Sequence, residues 1–477
     1  MSQIKTIFEN MSWLLISQII ASIFGFIWTV LIARYLGVSN NGILGFAISI
    51  TAILGMIDDM GISTHIVRHI ATDYDSAPKY LGNALPLKLI FVGFKFIITI
   101  IVLFILGINE FTIKITLIFS IEMVFKSFNN CFYGTFQAFE KGKYQGIGNT
   151  LMNTTTLIFI LISIYTDIGI LGVSFSYLLA NLITFIYLYY VLNNHIVKPK
   201  FELDTEFCKR ITLASLPFVV TGILYTIYYS IDVVMLTNMI GDYATGIYNA
   251  TYKLIAVLNL FYGVYTAVIF PVMSKFFKND ESMLLISFEK SIKYLMLLII
   301  PVAVATVFYS TDIIHLIYGQ EYDAASSVLS ILIWTVCLLF ISGACNTLLN
   351  ASHKEVSVTK IYAIAAVFNI VLNFFMIPYL SYDGAAITTV LSDVLIVILQ
   401  SYVIYRLGHR PNKKLYFDIL KIIAGSTVLG IALSFLNLNM WVALPVGIII
   451  YLAVMYLIRF FDNDDKYIMR EILGKNS

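Results

Sequence analysis

Apolar runs of about twenty residues, separated by short polar or Gly/Pro-bearing breaks, recur along the whole chain, and that is the length of helix a hydrocarbon core demands. Fourteen such runs are predicted as helices, over about 12–33, 42–64, 84–106, 112–136, 147–166, 169–192 and 211–239, then 248–272, 286–310, 325–350, 357–379, 384–406, 415–436 and 440–460. The first run is longer than the core of a signal peptide and lacks a small-residue cleavage site, so it is expected to remain as the first membrane helix. The expected fold class is an all-α polytopic membrane protein.

The loops are short and their charge alternates. On one side fall Lys5, Arg68, Lys79, Lys141, Lys143, Lys198, Lys200, Lys209 and Arg210, then Lys275, Lys278, Lys290, Lys354, Arg406, Arg410, Lys413, Lys414, Arg459, Lys466, Arg470 and Lys475. The other side receives only Arg34. Positive charge collects on the cytoplasmic face, so both termini are expected there, in a cell (plasma) membrane. A missed or invented helix would scramble this alternation, which supports an even number of spans.

Composition narrows the function. Of 477 residues 59% are hydrophobic and 12% charged, and the net charge is +2, which offers no basic face for nucleic acid. The longest outer loop, about 311–324, leaves no room for an extracellular domain. No GxxxxGK[ST] occurs for a built-in ATPase, and no HExxH points to a metal-dependent enzyme. Cys131, Cys208, Cys337 and Cys345 show no metal-ligand spacing, with Cys208 expected in a cytosolic loop. No cofactor and no metal site are expected.

The chain also matches itself at a separation of a little over 200 residues. Leu36-Gly37…Gly42-Ile43 is answered by Ile240-Gly241…Gly246-Ile247. Gln137-Ala138…Lys141 is answered by Asn350-Ala351…Lys354, and Gly172 entering helix 6 by Gly384 entering helix 12. Two six-helix units are implied, related by an axis along the membrane normal, with helices 13 and 14 as an appendage. The expected domains are 1–195, 196–410 and 411–477. Two parallel lobes around a central cavity suit a transporter working by alternating access.

Ionisable residues at membrane depth cost at least ~2.5–3.5 kcal/mol each, so they mark functional candidates. Helix 4 carries Glu122, Lys126, Asn129, Asn130 and Tyr133 at spacings that share one face. Helix 7 carries Tyr225, Tyr228, Tyr229 and Asp232, helix 8 Asn249 and Lys253, helix 3 Lys95 and helix 12 Asp393. Structural pairing (Glu122 with Lys126, Asp232 with Lys253) and lumen lining both stay open for the acids. For Lys95, Lys126 and Lys253 the lumen is favoured, while Lys88, Lys293, Lys360, Lys421 and Lys114 sit near helix ends and are expected to snorkel. A lumen of lysines and tyrosines would suit an anionic ligand with sugar-like surfaces.

Several stretches carry a family resemblance. They are Ala33-Arg34-Tyr35-Leu36-Gly37 with Gly42, Asp59-Met60-Gly61-Ile62-Ser63 with Arg68-His69-Ile70-Ala71, Leu216-Pro217, and Asp232 to Leu236. Gly246-Ile247-Tyr248-Asn249 with Tyr252-Lys253, and Leu316 to Tyr322, complete the set. In this order they resemble the polysaccharide, or O-antigen, flippases of the multidrug/oligosaccharidyl-lipid/polysaccharide exporter superfamily, relatives of the lipid II flippase and the multidrug-and-toxin extruders. The resemblance implies a flippase that moves an isoprenoid-diphosphate-linked oligosaccharide to the outer leaflet, the sugar head crossing a basic lumen while the lipid tail stays in the bilayer. It implies a place beside polysaccharide polymerase machinery in lipopolysaccharide or related biosynthesis. Lys95, Lys126 and Lys253 would supply the basic lumen, and Arg34 and Arg68 match family positions at its mouths. With both lobes in one chain, a functional monomer is expected.

The competing readings are a cation-coupled multidrug antiporter of the same superfamily, a membrane-embedded polymerase or glycosyltransferase, and a scaffold. The antiporter calls for unpaired lumenal acids, for which Asp58 and Asp59 at the inner end of helix 2 are the candidates. The enzyme calls for large outer loops or acidic metal motifs, and every outer loop here is short.

Overall fold

The computed structural model describes residues 2–436, 438–461 and 465, and among them every regular element is helical. The basic tail residues Lys466, Arg470 and Lys475 lie outside the described residues. The helices are α1 (Ser2–Asp59), α2 (Ile62–Ile70), α3 (Ala77–Ile105), α4 (Glu110–Ala138), α5 (Gly142–Tyr165), α6 (Ile170–Val191), α7 (Thr205–Met239) and α8 (Asp242–Ala256). They continue as α9 (Asn259–Asn279), α10 (Glu281–Phe308), α11 (Ser310–Ile317), α12 (Ala325–Ala351), α13 (Glu355–Arg406), α14 (Lys413–Leu436) and α15 (Met440–Leu457).

All fourteen apolar runs fall on helices. The first two share α1, which turns at Gly37 (φ 70°, ψ 177°), and the eleventh and twelfth share α13, which turns at Ser381 (φ 53°, ψ −131°). The helical 12–59 part of α1 and the 52 residues of α13 are each about two bilayer crossings long at ~1.5 Å per residue. The eighth run is divided between α8 and α9. Nine described helices are long and apolar enough to cross a membrane outright; α4 falls short because Glu122, Lys126, Asn129 and Asn130 lower its hydropathy. Cys208 lies within the first turns of α7, since Asp204 caps that helix by accepting a hydrogen bond from the Phe207 amide at 3.0 Å and so starts it earlier than its apolar run does.

The helices are inverted relative to those of a water-soluble protein. On α3 Leu89, Phe94, Ile97, Ile101 and Phe104 face outward while Lys88 and Lys95 are fully buried. Lipid solvates the apolar face, and the polar groups turn inward to find partners.

The backbone repeats where the sequence does. Gly37 (φ 70°) and Gly241 (φ 122°) occupy equivalent positions before their helices. Glu140 (φ 54°) and His353 (φ 56°), one residue ahead of Lys141 and Lys354, are both left-handed. Lys141 N–H donates to the Phe136 carbonyl at 2.8 Å and Lys354 N–H to that of Leu349 at 2.9 Å, so the two helices end in the same closing turn. Gly169 (φ 73°) and Ser381 (φ 53°), each three residues ahead of the matched Gly172 and Gly384, complete the set.

The chain divides into two compact units, Met1–Lys253 with Ile370–Ala385, and Leu254–Asn369 with Ala386–Ser477. Of the three apolar cores described in the first, the smallest holds Phe46, Ile50, Leu103 and Val234, and two are larger. One joins Ile62, Ile66, Leu81, Phe128, Phe132 and Leu188, and the other Ile32, Leu44, Ile115, Phe119, Ile160 and Val173. The second unit packs α10 against α12 and α14, with Phe288, Met296, Leu332 and Phe340 buried.

Candidate functional site in the membrane interior

In the first unit, buried charges meet in a short series across α1, α3, α4 and α6. Asp58 and Asp59 end the second limb of α1 side by side, so their carboxylates diverge toward different partners. Lys95 Nζ lies 2.9 Å from Asp58 Oδ2, with both side chains completely buried, and it also donates to the Ser120 carbonyl on α4 at 2.8 Å. Lys88 Nζ lies 2.5 Å from Asp59 Oδ1 and donates to Ser127 Oγ at 2.9 Å; Ser63 Oγ donates to Asp59 as well. Lys88 and Lys95 are seven residues apart, two helical turns, which places both on one face of α3.

Glu122 is buried on α4, where Asn181 Nδ2 of α6 donates to its Oε1 at 2.7 Å. Asn129, two turns along α4, donates to the Asn181 carbonyl at 3.2 Å. Among the described residues no cation is in ion-pair contact with Glu122, so the i,i+4 bridge to Lys126 does not form. Lys126 and Asn130 point to the exposed face of α4 instead.

A second polar centre of the same unit gathers on α7. Buried Asp232 receives Tyr248 Oη of α8 at 2.7 Å and Asn373 Nδ2 of α13 at 2.6 Å. Tyr225 is exposed and Tyr228 buried, and both rings lie against Tyr229, with centroids 4.5 and 5.2 Å away. Asn249 is buried against Gly45, with Nδ2 3.5 Å from the Asn41 carbonyl; Lys253, one turn on, is half-buried. Arg34 on α1 and Arg68 on α2 are exposed, while Asp393 is half-buried on α13 in the second unit.

Two lysines expected to snorkel do not. Lys88 is fully buried in its pair with Asp59. In the second unit Lys293 lies 3.1 Å from Asp418 of α14 and 2.6 Å from Asp465, which also takes Lys290 at 2.5 Å and the Tyr294 hydroxyl at 2.7 Å. A position near a helix end permits a lysine to reach water, but a carboxylate from a neighbouring helix is a closer partner. Asn181, Asn373 and Tyr248 were likewise invisible as site residues, because a single amide or phenol in an apolar run carries no spacing signal.

This arrangement holds no nucleophile–base pair, and among the described residues no group of His, Cys, Asp and Glu could hold a metal ion. What it provides is buried carboxylates, two engaged by lysines (Asp58 and Asp59) and two hydrogen-bonded by neutral groups (Glu122 and Asp232). The model of the family described as "Polysaccharide biosynthesis protein" matches residues 7–277, more than half of the chain, and that described as "MatE" matches 217–375. The capsular polysaccharide biosynthesis protein CapF of Staphylococcus aureus is 24% identical over 83% of this chain and 98% of its own length. The probable low-salt glycan biosynthesis flippase Agl15 of Haloferax volcanii is 25% identical over 81% of this chain and 82% of its own. Among solved structures, the lipid II flippase MurJ in an inward closed conformation superposes with a TM-score of 0.77 at 17% identity, covering 93% of this chain and 98% of that one. The chain is thus a multi-pass membrane protein with the fold of the lipid II flippase, and it belongs to the polysaccharide biosynthesis protein family.

Proposed function

We propose that the protein flips an isoprenoid-diphosphate-linked oligosaccharide from the cytoplasmic to the outer leaflet of the cell membrane by alternating access of two lobes, 1–195 and 196–410, with 411–477 appended and both termini in the cytoplasm. The observation that carries this reading is the distribution of charge in the first unit. Asp58 and Asp59 are each engaged by a lysine, whereas Lys126 is exposed and, among the described residues, in no ion pair. Glu122 and Asp232 are buried and hydrogen-bonded by Asn181, Tyr248 and Asn373, so the charge exposed to a ligand on these helices is that of Lys126, which favours a diphosphate over a cationic drug. Lys126, Lys253, Arg34, Arg68, Tyr225, Tyr228 and Asn249 are the residues assigned to the glycan path; Lys95 contributes through the buried pair that fixes α3 to α1. Glu122, Asp232 and Asp393 remain the candidates for ion coupling. The protein acts as a monomer and hands its cargo to polysaccharide polymerase machinery.

The test is flipping of a radiolabelled polyprenyl-diphosphate oligosaccharide in proteoliposomes by wild type, by Lys126→Ala, and by a Lys95→Ala/Lys126→Ala/Lys253→Ala variant that still folds. Flipping by wild type, weaker flipping by Lys126→Ala and its loss in the triple variant are expected. The match of residues 217–375 to the MatE model motivates the antiporter as second reading. Ion-driven efflux of a cationic dye with no flipping would establish it in place of ours.

A further inference from the structure

Lys88 of α3 and Lys293 of α10 are separated by the little over 200 residues that relate the two repeats, and both are buried against carboxylates. In the first repeat the carboxylate comes from within the repeat, since Asp59 at the end of α1 takes Lys88 at 2.5 Å. The second repeat has no acid at that place. The position matched to Asp59, by the spacing of Gly37 to Gly241, is Gly263, and no Asp or Glu occurs between Tyr243 and Asn279. Lys293 is held instead by the appendage that follows the repeats. Asp418 of α14 lies 3.1 Å from its Nζ and Asp465, beyond α15, 2.6 Å, while the centre of the Phe460 ring is 4.6 Å away.

This contact belongs to a series. Lys290, Lys293, Tyr294 and Leu297 share one face of α10. The first three engage Asp465, and the Leu297 carbonyl accepts from Tyr451 Oη of α15 at 3.1 Å. Toward the start of α10 the Glu289 carboxylate accepts from the Asn412 amide, and just past its end Tyr309 Oη donates to the Leu438 carbonyl at 3.1 Å. Gly430 of α14 comes so near that an added Cβ would lie 3.2 Å from Val304 Cγ1. The appendage therefore clasps α10 along its length. Asp465, with three donors and no exposure, is the strongest of these ties, because charge-assisted hydrogen bonds gain most where water is excluded. We propose that Asp465 and Lys293 form a latch at the cytoplasmic end of α10 that makes α10, α14 and α15 one moving body, so that the appended helices are a working part of the second repeat and not a passive anchor. The latch stands on the contacts of α10; its part in transport rests on the flippase reading.

The first test is backbone hydrogen exchange of the full-length protein in nanodiscs. Asp465→Asn is expected to speed exchange in α14 and α15 at least roughly tenfold and to leave α4 and α5 unchanged, with Asp465→Glu restoring most of the protection. Unchanged exchange in α14 and α15 would overturn the latch. Should Asp465→Asn fail to fold, Tyr294→Phe, which removes one donor to Asp465, is expected to speed the same amides roughly threefold, and no acceleration would overturn it. Flipping of a radiolabelled polyprenyl-diphosphate oligosaccharide in proteoliposomes then separates a latch from local support. Turnover by Asp465→Asn is expected to fall roughly tenfold with half-saturation unchanged, since no member of the series is assigned to the glycan path. Val304→Cys with Gly430→Cys, in a background of Cys131, Cys208, Cys337 and Cys345 changed to Ala, places two sulfurs within disulfide reach across α10 and α14. In Asp465→Asn that disulfide is expected to restore turnover, and its reduction to remove it again. Full turnover by Asp465→Asn, or no rescue by the disulfide, would overturn the shared motion of α10 and the appendage. Absence of flipping by wild type would strike the flippase reading alone, and hydrogen exchange would still decide the latch.

Discussion

Lys95 of α3 and Asp58 of α1 face each other at 2.9 Å with neither side chain reaching solvent, so each charge is tolerable only because the other is present. Removing one partner leaves the other uncompensated in a low-dielectric interior, which costs about 3–5 kcal/mol, whereas replacing both with apolar groups of similar shape is far milder. Asp58→Asn is therefore expected to lower the thermal stability in detergent sharply. Asp58→Leu with Lys95→Met should recover most of the loss, and equal destabilisation by the single and double variants would contradict the pairing.

Lys126 differs from Lys95 in being exposed. Lys126→Ala is expected to leave the unfolding temperature within a degree or two of wild type, since exposed substitutions away from special features change stability by less than about 0.5 kcal/mol. Affinity for a diphosphate-linked glycan should fall about tenfold, equivalent to ~1.4 kcal/mol, with Lys126→Arg retaining most of it. Isothermal titration with the lipid-linked glycan in nanodiscs reads both values.

Asp204 caps α7 by accepting from the Phe207 amide, and that hydrogen bond, with Lys79 3.4 Å away, holds its carboxyl below the usual range. A depressed carboxyl contributes stability that is present above its unfolded value, near ~3.9, and disappears as pH falls through the folded one. The first turn of α7 is expected to open as pH drops below about 4. Hydrogen exchange at the Phe207 amide should accelerate there in the wild type and show no such step in Asp204→Asn, which keeps an acceptor but cannot titrate.

Glu140 and His353 sit at the same left-handed position of matched helix ends, where an L side chain is strained and glycine is not. Glu140→Gly and His353→Gly are each expected to stabilise the protein by about 0.5–1 kcal/mol, the relief of left-handed strain less the entropy lost with glycine. Differential scanning calorimetry of the two variants checks this, and destabilisation by both would show that neither turn closes as described.

Spans and repeats could be read directly because both are local. A bilayer fixes the length of apolar helix it needs, and a turn with φ above zero selects glycine or a tolerant polar residue, so Gly37, Gly241 and the ends at Glu140 and His353 show themselves in one dimension. Three features were also legible as residues worth watching: Lys95, Glu122 and Asp232 stand out because a charge inside an apolar run is rare. Their partners did not. Whether Lys95 meets Asp58 or a lumen, whether Glu122 takes Lys126 four residues on or Asn181 from another helix, and whether Lys88 and Lys293 reach water all depend on how helices rotate about their axes. Lipid solvates any apolar face equally well, so hydropathy leaves that rotation undetermined, and only packing decides it, through contacts such as Gly42 against Asp242 that bring distant stretches of chain to backbone distance.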